Sequence, residues 1–143
     1  MFIVEPYLFF NGNCEEAFNF YKSVFGGEFV GMMKYKDMPE GGKDVAEELK
    51  DKILHVSFPI GREVIIMGSD AGPGEHSVTV GNNIMLTLSM DDEEETKRLY
   101  QQLSEGGKVN MELQKTFWAE LYAMFTDKFG INWSVNYGYV KED

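Results

Sequence analysis

The residue with the widest chemistry is His55, which stands two positions before Ser57 in the run Ile53-Leu54-His55-Val56-Ser57-Phe58. An imidazole changes charge near neutral pH, so it can take or give a proton or donate a hydrogen bond to a carbonyl. A spacing of two puts His55 and Ser57 on one face of a strand. Leu54, Val56, Phe58 and Ile60 take the opposite face, and Ile53 and Pro59 go with His55. If the four apolar residues pack under helices, His55 opens into a cavity. A second role also stands open to it, that of a structural histidine bonded to a neighbouring strand, because the pattern supplies no carboxylate to hold it. Glu120 is a further candidate base. As one of 24 acidic residues it reads more readily as a solvated surface charge. Cys14 opens a helix, where the backbone dipole lowers a thiol's pKa; no base is in view for it, and a structural role is expected.

A second group could hold a ligand without reacting with it. Tyr7, Trp118 and Tyr122 offer flat aromatic surface, Met67 and Met85 an adaptable floor, and Ser57 and Ser134 hydroxyls. Aromatic rings and methionine suit a flat or apolar molecule. For any one of the aromatic and methionine residues, core packing is the commoner role. Trp133 belongs with Ile131 and Val135 on a core face, and Asn132, Ser134 and Asn136 alternate to the other side. A polar strip of that kind suits a small-molecule site, or simply faces water.

Composition narrows the classes. A chain of 143 residues has the length for one compact domain. Its net charge of −11 argues against nucleic acid phosphates and anionic lipid as partners. No apolar run approaches the roughly 20 residues of a membrane helix, and Met1 to Pro6 lacks the pattern of a signal peptide. The single cysteine forbids an internal disulfide, so a reducing, cytoplasmic setting is expected.

The elements that must position these residues occur twice. Glu15-Glu16 through Tyr21 to Gly26-Gly27 is echoed by Glu94-Glu95 through Tyr100 to Gly106-Gly107, and the Gly-Gly pairs stand 80 residues apart. A period that long in so short a chain means two copies of one module. The first copy predicts a strand over Glu5–Phe10, a helix capped by Asn13 and ended by Gly26-Gly27, a strand over Glu28–Tyr35, a loop over Asp37–Asp51 and a hairpin of Lys52–Ile60 with Glu63–Gly68. A linker rich in glycine follows. The second copy predicts a strand over Asn83–Met90, a helix from Asp91-Asp92 to Ser104, and strands over Lys108–Thr116, Leu121–Thr126 and Ile131–Tyr137. The expected organisation is therefore one domain, 1–143, built of modules 1–70 and 83–143 joined by 71–82. The fold class is α+β: two tandem βαβββ modules forming a curved mixed sheet, helices outside and a central cleft.

That order resembles the vicinal oxygen chelate superfamily of glyoxalases, bleomycin-resistance proteins and extradiol dioxygenases, and more narrowly its PhnB-like branch. The resemblance rests on Tyr7-Leu8-Phe9-Phe10-Asn11-Gly12-Asn13, Phe20-Tyr21 and Phe25-Gly26-Gly27; on His55-Val56-Ser57-Phe58 with Ile66-Met67-Gly68-Ser69-Asp70; and on Phe117-Trp118 with Thr126-Asp127-Lys128-Phe129-Gly130-Ile131-Asn132-Trp133. The superfamily hosts unrelated chemistries on one scaffold. It implies metal-ligand positions near Glu5 or Pro6, Ile65 or Met67, Asn83 or Ile84, and at Ser134, of which only Glu5 is a strong donor. A catalytic divalent ion normally takes about three His, Cys, Asp or Glu ligands, so no cofactor is expected. The branch also carries a small-Arg-Tyr-Gly run after Phe-Trp; here it reads Ala119-Glu120-Leu121-Tyr122-Ala123, without the arginine that would meet an anion.

The resulting expectation is a metal-independent protein that binds an apolar or aromatic small molecule, and, as similar proteins often are, a homodimer. The alternative is a lyase or dioxygenase-type enzyme, with His55 as acid–base residue or a divalent metal held through Glu5.

Overall fold

The computed structural model describes residues 1–72 and 76–138. The chain divides into two compact units, Met1–Thr79 and Val80–Asp143.

In the first unit β1 (Tyr7–Phe10) leads to α1 (Cys14–Phe25), β2 (Gly31–Lys34), β3 (Ile53–Ile60) and β4 (Val64–Asp70). The sheet order is β1-β4-β3-β2, with β1 parallel to β4 and the other pairs antiparallel. The second unit repeats this with β5 (Leu86–Met90), α2 (Glu93–Ser104), β6 (Lys108–Gln114), β7 (Leu121–Thr126) and β8 (Asn132–Tyr137), ordered β5-β8-β7-β6 with β5 parallel to β8. Both units are βαβββ modules, and the fold is α+β. No described helix is long and apolar enough to cross a membrane.

Each helix buries one stripe on its own sheet. From α1, Ala17, Phe18, Tyr21 and Val24 are buried, as are Phe10, Val56, Phe58 and Ile66 of the sheet. Phe18 lies edge-on to Phe10 and Tyr21, ring centroids 6.1 and 5.5 Å apart. It reaches the sheet where β4 has Gly68; a Cβ there would meet the Phe18 ring at 2.5 Å. In the second unit Leu99 and Leu103 of α2 are buried, as are Ala123, Phe125, Trp133 and Val135.

A buried carboxylate organises each unit. Asp70, 1% exposed at the end of β4, accepts hydrogen bonds at Oδ1 from the backbone N–H groups of Gly12 (2.9 Å) and Cys14 (3.0 Å), and at Oδ2 from that of Ile53 (2.9 Å). It thereby satisfies the start of α1, which otherwise leaves backbone donors unpaired. Asn13, expected as the side-chain cap, makes no side-chain capping bond; the helix entry is tied down by the distant Asp70 carboxylate, which accepts from the Gly12 and Cys14 N–H groups. In the second unit Asp127 takes the Phe129 and Ile131 N–H groups on Oδ1 and the Trp133 indole N–H on Oδ2 (2.8 Å). Asp92 caps α2 locally, accepting from the Glu95 N–H at 2.7 Å.

Several expected boundaries shift. Strands begin later than read, at Tyr7, Gly31 and Leu86. Before β5 the carbonyls of Gly81 and Ile84 are held by the Asn132 side chain, so Asn83 to Met85 lies outside the strand. The stretch read as a loop over Asp37–Asp51 holds three short 3₁₀ turns, Tyr35–Asp37, Pro39–Gly42 and Glu47–Leu49. Ile53, expected beside His55, is instead fully buried. The β2–β3 ladder passes from Met33↔His55 to Lys34↔Ile53, and that one-residue bulge at Leu54 turns Ile53 to the other face.

Candidate functional site

The candidate residues of the first unit gather on the sheet face away from α1. Tyr7 pairs with Met67 across β1–β4, and Met67 with Ser57 across β4–β3, so these three share a row. Phe9 and His55 follow two positions along their strands on the same face. Tyr7, Phe9 and Met33 are 37%, 55% and 46% exposed, so this face is open where the α1 face is closed.

On it lies a continuous hydrogen-bonded chain. The Tyr7 hydroxyl is 3.1 Å from His55 Nδ1, and His55 Nε2 is 2.8 Å from Ser57 Oγ. The Tyr7 and His55 rings are also in contact, centroids 5.6 Å apart, and Tyr7 leans on Phe9 at 4.9 Å. Two proton arrangements satisfy all three side chains. With Nε2 protonated, His55 donates to Ser57 and accepts from the phenol; with Nδ1 protonated, it donates to Tyr7 and accepts from Ser57. The chain can pass a proton by exchanging one arrangement for the other. Among the described residues no carboxylate bonds to His55; a phenol orients it. The sequence placed Tyr7 and His55 on candidate strands without pairing them, and did not select Phe9 or Met33, although Phe9 follows Tyr7 at the two-residue period that marks a shared face.

In the second unit the ring of Trp118 packs on Tyr122 (5.2 Å, 72°) and on the exposed Phe117 (4.8 Å, 84°). Tyr122 on β7 stands opposite Asn136 on β8 and Gln114 on β6. Met85 is 38% exposed and precedes β5. Ser134 is fully buried and donates to Thr87 Oγ1 at 2.7 Å, so its hydroxyl is engaged inside the unit. Glu120 is exposed; its backbone N–H bonds to the Tyr137 carbonyl, and its side chain lies beside Gly138.

Cys14 is fully buried, in keeping with the structural role expected of it. Burial pushes its thiol pKa far up, and the adjacent Asp70 carboxylate and then Glu15 push the same way. Its own N–H donates to Asp70, which sets that carboxylate beside the buried thiol and leaves Cys14 a core residue.

The superfamily's metal positions are a poor fit for a divalent ion. They hold Glu5 as the one carboxylate, apolar Ile65 and Met67, the Asn83–Ile84 turn, and a Ser134 already bonded to Thr87. Among the described residues no three His, Cys, Asp or Glu side chains group as a metal site.

Comparison with known proteins adds the family. A family profile described as 3-demethylubiquinone-9 3-methyltransferase matches residues 3–136. The chain is 34% identical to protein YjdN of Escherichia coli (strain K12) over 140 residues, covering 93% of each. Its fold matches the crystal structure of PA1353 from Pseudomonas aeruginosa with a TM-score of 0.86 at 39% identity, covering 96% of this chain and 98% of that one. A putative 3-demethylubiquinone-9 3-methyltransferase, PhnB protein, from Bacillus cereus matches at TM-score 0.75 and 24% identity, over 94% and 98% of the two chains. At the level of fold alone the likeness extends to a glyoxylase/bleomycin resistance protein/dioxygenase domain from Frankia sp. EAN1pec, with TM-score 0.66, 10% identity, and 96% and 98% coverage.

Proposed function

The chain belongs to the PhnB-like 3-demethylubiquinone-9 3-methyltransferase family of glyoxalase-fold proteins, and from that premise we propose that it binds an apolar or aromatic small molecule, without a metal ion, on the open face of its first sheet. The observation that carries this reading is the Tyr7–His55–Ser57 hydrogen-bonded chain set beside exposed Phe9 and Met33. Large apolar side chains left outside the core provide the area, and a few fixed polar groups provide orientation, which is the usual make-up of a ligand site.

The methyl transfer in the family's description is not part of this reading. A nucleoside cofactor is commonly held by a Gly-rich turn feeding a helix N-terminus. Here the turn after β1 is Asn11-Gly12-Asn13, and the Gly12 and Cys14 N–H groups already bond to Asp70. A second reading draws on the same trio: because both nitrogens of His55 are bonded to hydroxyls, the imidazole could shift a proton on a bound carbonyl or phenol, in a His-assisted lyase or dioxygenase-type enzyme. The proposal extends to a cytoplasmic homodimer with no nucleic acid or membrane partner, in keeping with the net charge of −11.

The test is a calorimetric titration of chelator-treated protein with 2-naphthol and 1,4-naphthoquinone. Saturable binding is expected. Tyr7→Phe should weaken it about two- to tenfold, the worth of one neutral hydrogen bond, and His55→Ala by more, with the melting temperature kept. No binding of either probe, or saturable thermal stabilisation by Mn(II), Fe(II), Ni(II) or Zn(II), overturns the proposal. Turnover that follows the His55 substitution but not added metal selects the second reading.

A further inference from the structure

The second unit holds an amide that the fold does not use. Along β8, Asn132, Ser134 and Asn136 alternate with Trp133 and Val135, whose side chains are fully buried. The first two are fully engaged. Asn132 donates to the Gly81 and Ile84 carbonyls and accepts from Thr126 Oγ1, and Ser134 donates to Thr87. Asn136 differs: its Oδ1 is enclosed and has no hydrogen-bond partner, the one such side-chain atom among the described residues.

An enclosed acceptor without a partner is destabilising in the free protein, and a leucine of similar size would remove the penalty. A ligand donor that meets the amide repays it only in the complex. The surroundings suit such a ligand. The β7–β8 ladder sets Tyr122 directly opposite Asn136, the β5–β8 ladder sets exposed Ser89 on its other side, and the Trp118 ring packs on Tyr122. Aromatic surface beside one unmatched acceptor fits a flat ring that carries a hydrogen-bond donor.

We propose that Asn136, with Tyr122 and Trp118, forms a recognition point in the second unit for a planar aromatic ligand bearing a hydroxyl or amino donor. The donor meets Oδ1 where it stands, as the ligand displaces the side chains that enclose it, while the ring lies against Tyr122 and Trp118. The inference is independent of the first-unit reading, since it rests on different residues and a different sheet.

The test compares 2-naphthol with 2-methoxynaphthalene, a probe of similar shape without the donor, by calorimetric titration of the full chain. The intact protein should prefer the naphthol by about five- to tenfold, roughly one hydrogen bond. In a chain that also carries His55→Ala, which silences the first-unit site, Asn136→Ala and Asn136→Leu should collapse that preference to about one while leaving the melting temperature unchanged or raised, because an unmatched polar group has been removed. Trp118→Ala should weaken both probes together. Equal binding of the two probes by the intact protein, a preference that survives Asn136→Ala in the His55→Ala chain, a preference for 1,4-naphthoquinone over 2-naphthol, or melting points that fall by several degrees in both Asn136 variants would each overturn it. His55→Ala, titrated in parallel, reports the first-unit reading alone. Loss of all binding there would sink this inference and leave the other standing.

Discussion

Replacing Asp70 with alanine should destabilise the first unit more than any other single truncation of a polar side chain in it. The carboxylate is 1% exposed and accepts three backbone N–H groups at 2.9–3.0 Å, two at the entry to α1 and one at the start of β3. Alanine leaves all three donors without that acceptor. Each buried unsatisfied donor costs about 1–3 kcal/mol, and loss of a helix cap alone costs about 0.5–2 kcal/mol. The Gly12 donor is the least buried of the three, so water recovers part of its loss. The net expectation is about 3–5 kcal/mol. A domain of this size has about 5–15 kcal/mol of total stability, and each kcal/mol moves the melting point by about 3–5 °C. The variant should therefore melt about 10–20 °C lower by scanning calorimetry, with the urea midpoint falling in step. Asp70→Asn should fall between. Its one remaining oxygen can serve Gly12 and Cys14, while its amide NH₂ opposes the Ile53 N–H. A drop below about 4 °C for Asp70→Ala would refute the reasoning, since it would mean that Asn13 or water can replace the carboxylate at little cost.

Three further outcomes follow from the same geometry. Gly68→Ala should lower the melting point by several degrees, because the added methyl meets the Phe18 ring at 2.5 Å and overpacking of a core costs about 1–3 kcal/mol; paired with Phe18→Leu it should recover part of the loss. Cys14 should resist a thiol reagent at pH 8 in the native state and react at once in 6 M guanidinium. Its folded-state pKa is raised by burial above the usual 9, so the unfolded chain gives up this proton first as pH rises; stability should decline above about pH 9, and Cys14→Ala should flatten that decline. Asp127→Ala should unseat the second unit's last turn and red-shift the fluorescence of Trp133, whose indole N–H loses its partner; an unshifted spectrum would contradict that role.

The repeat was legible because both copies keep the features that sequence carries locally: glutamates in the first helical turn, an aromatic in mid-helix and a Gly-Gly end. The alternation of β3 likewise placed His55 and Ser57 on one face. What escaped depends on partners distant in sequence. Asp70 lies 58 residues from Gly12 and 17 from Ile53, so nothing near Asn13 announced that a distant carboxylate holds the helix entry. The bulge at Leu54 is set by the pairing of β2 with β3 and has no glycine to mark it, so Ile53 was read on the wrong face. The Tyr7–His55 bond spans 48 residues and could be found only once β1 and β3 were known to flank the same strand. Cys14 was legible as a structural residue because no base accompanied it; the distant Asp70 carboxylate, which adds to the effect of burial on its thiol, was not.

The internal duplication itself explains why one unit keeps an imidazole and the other an orphaned amide. The two ladders correspond strand for strand, so the row Tyr7–Met67–Ser57 in the first unit matches Thr87–Ser134–Met124 in the second. Continuing one step along β3 and β4 sets His55 level with Ser69, beside Phe9, and the matching row of the second unit is Tyr122–Asn136–Ser89. The helix-facing positions stay apolar in both copies, with Phe10, Val56 and Phe58 buried in one and Ala123, Phe125 and Val135 in the other, because any polar replacement there is buried unsatisfied and costly. The rows on the other face differ at every position between the two units, although Ser134 there is itself fully buried and bonded to Thr87. In the first unit the polar groups satisfy one another, Tyr7 to His55 to Ser57. In the second, tyrosine stands where histidine does in the first and no hydroxyl chain runs through the row, so the amide beside it is left unmatched. A fold that fixes its core twice leaves its other faces to diverge separately, and the recognition point proposed at Asn136 lies on one of them.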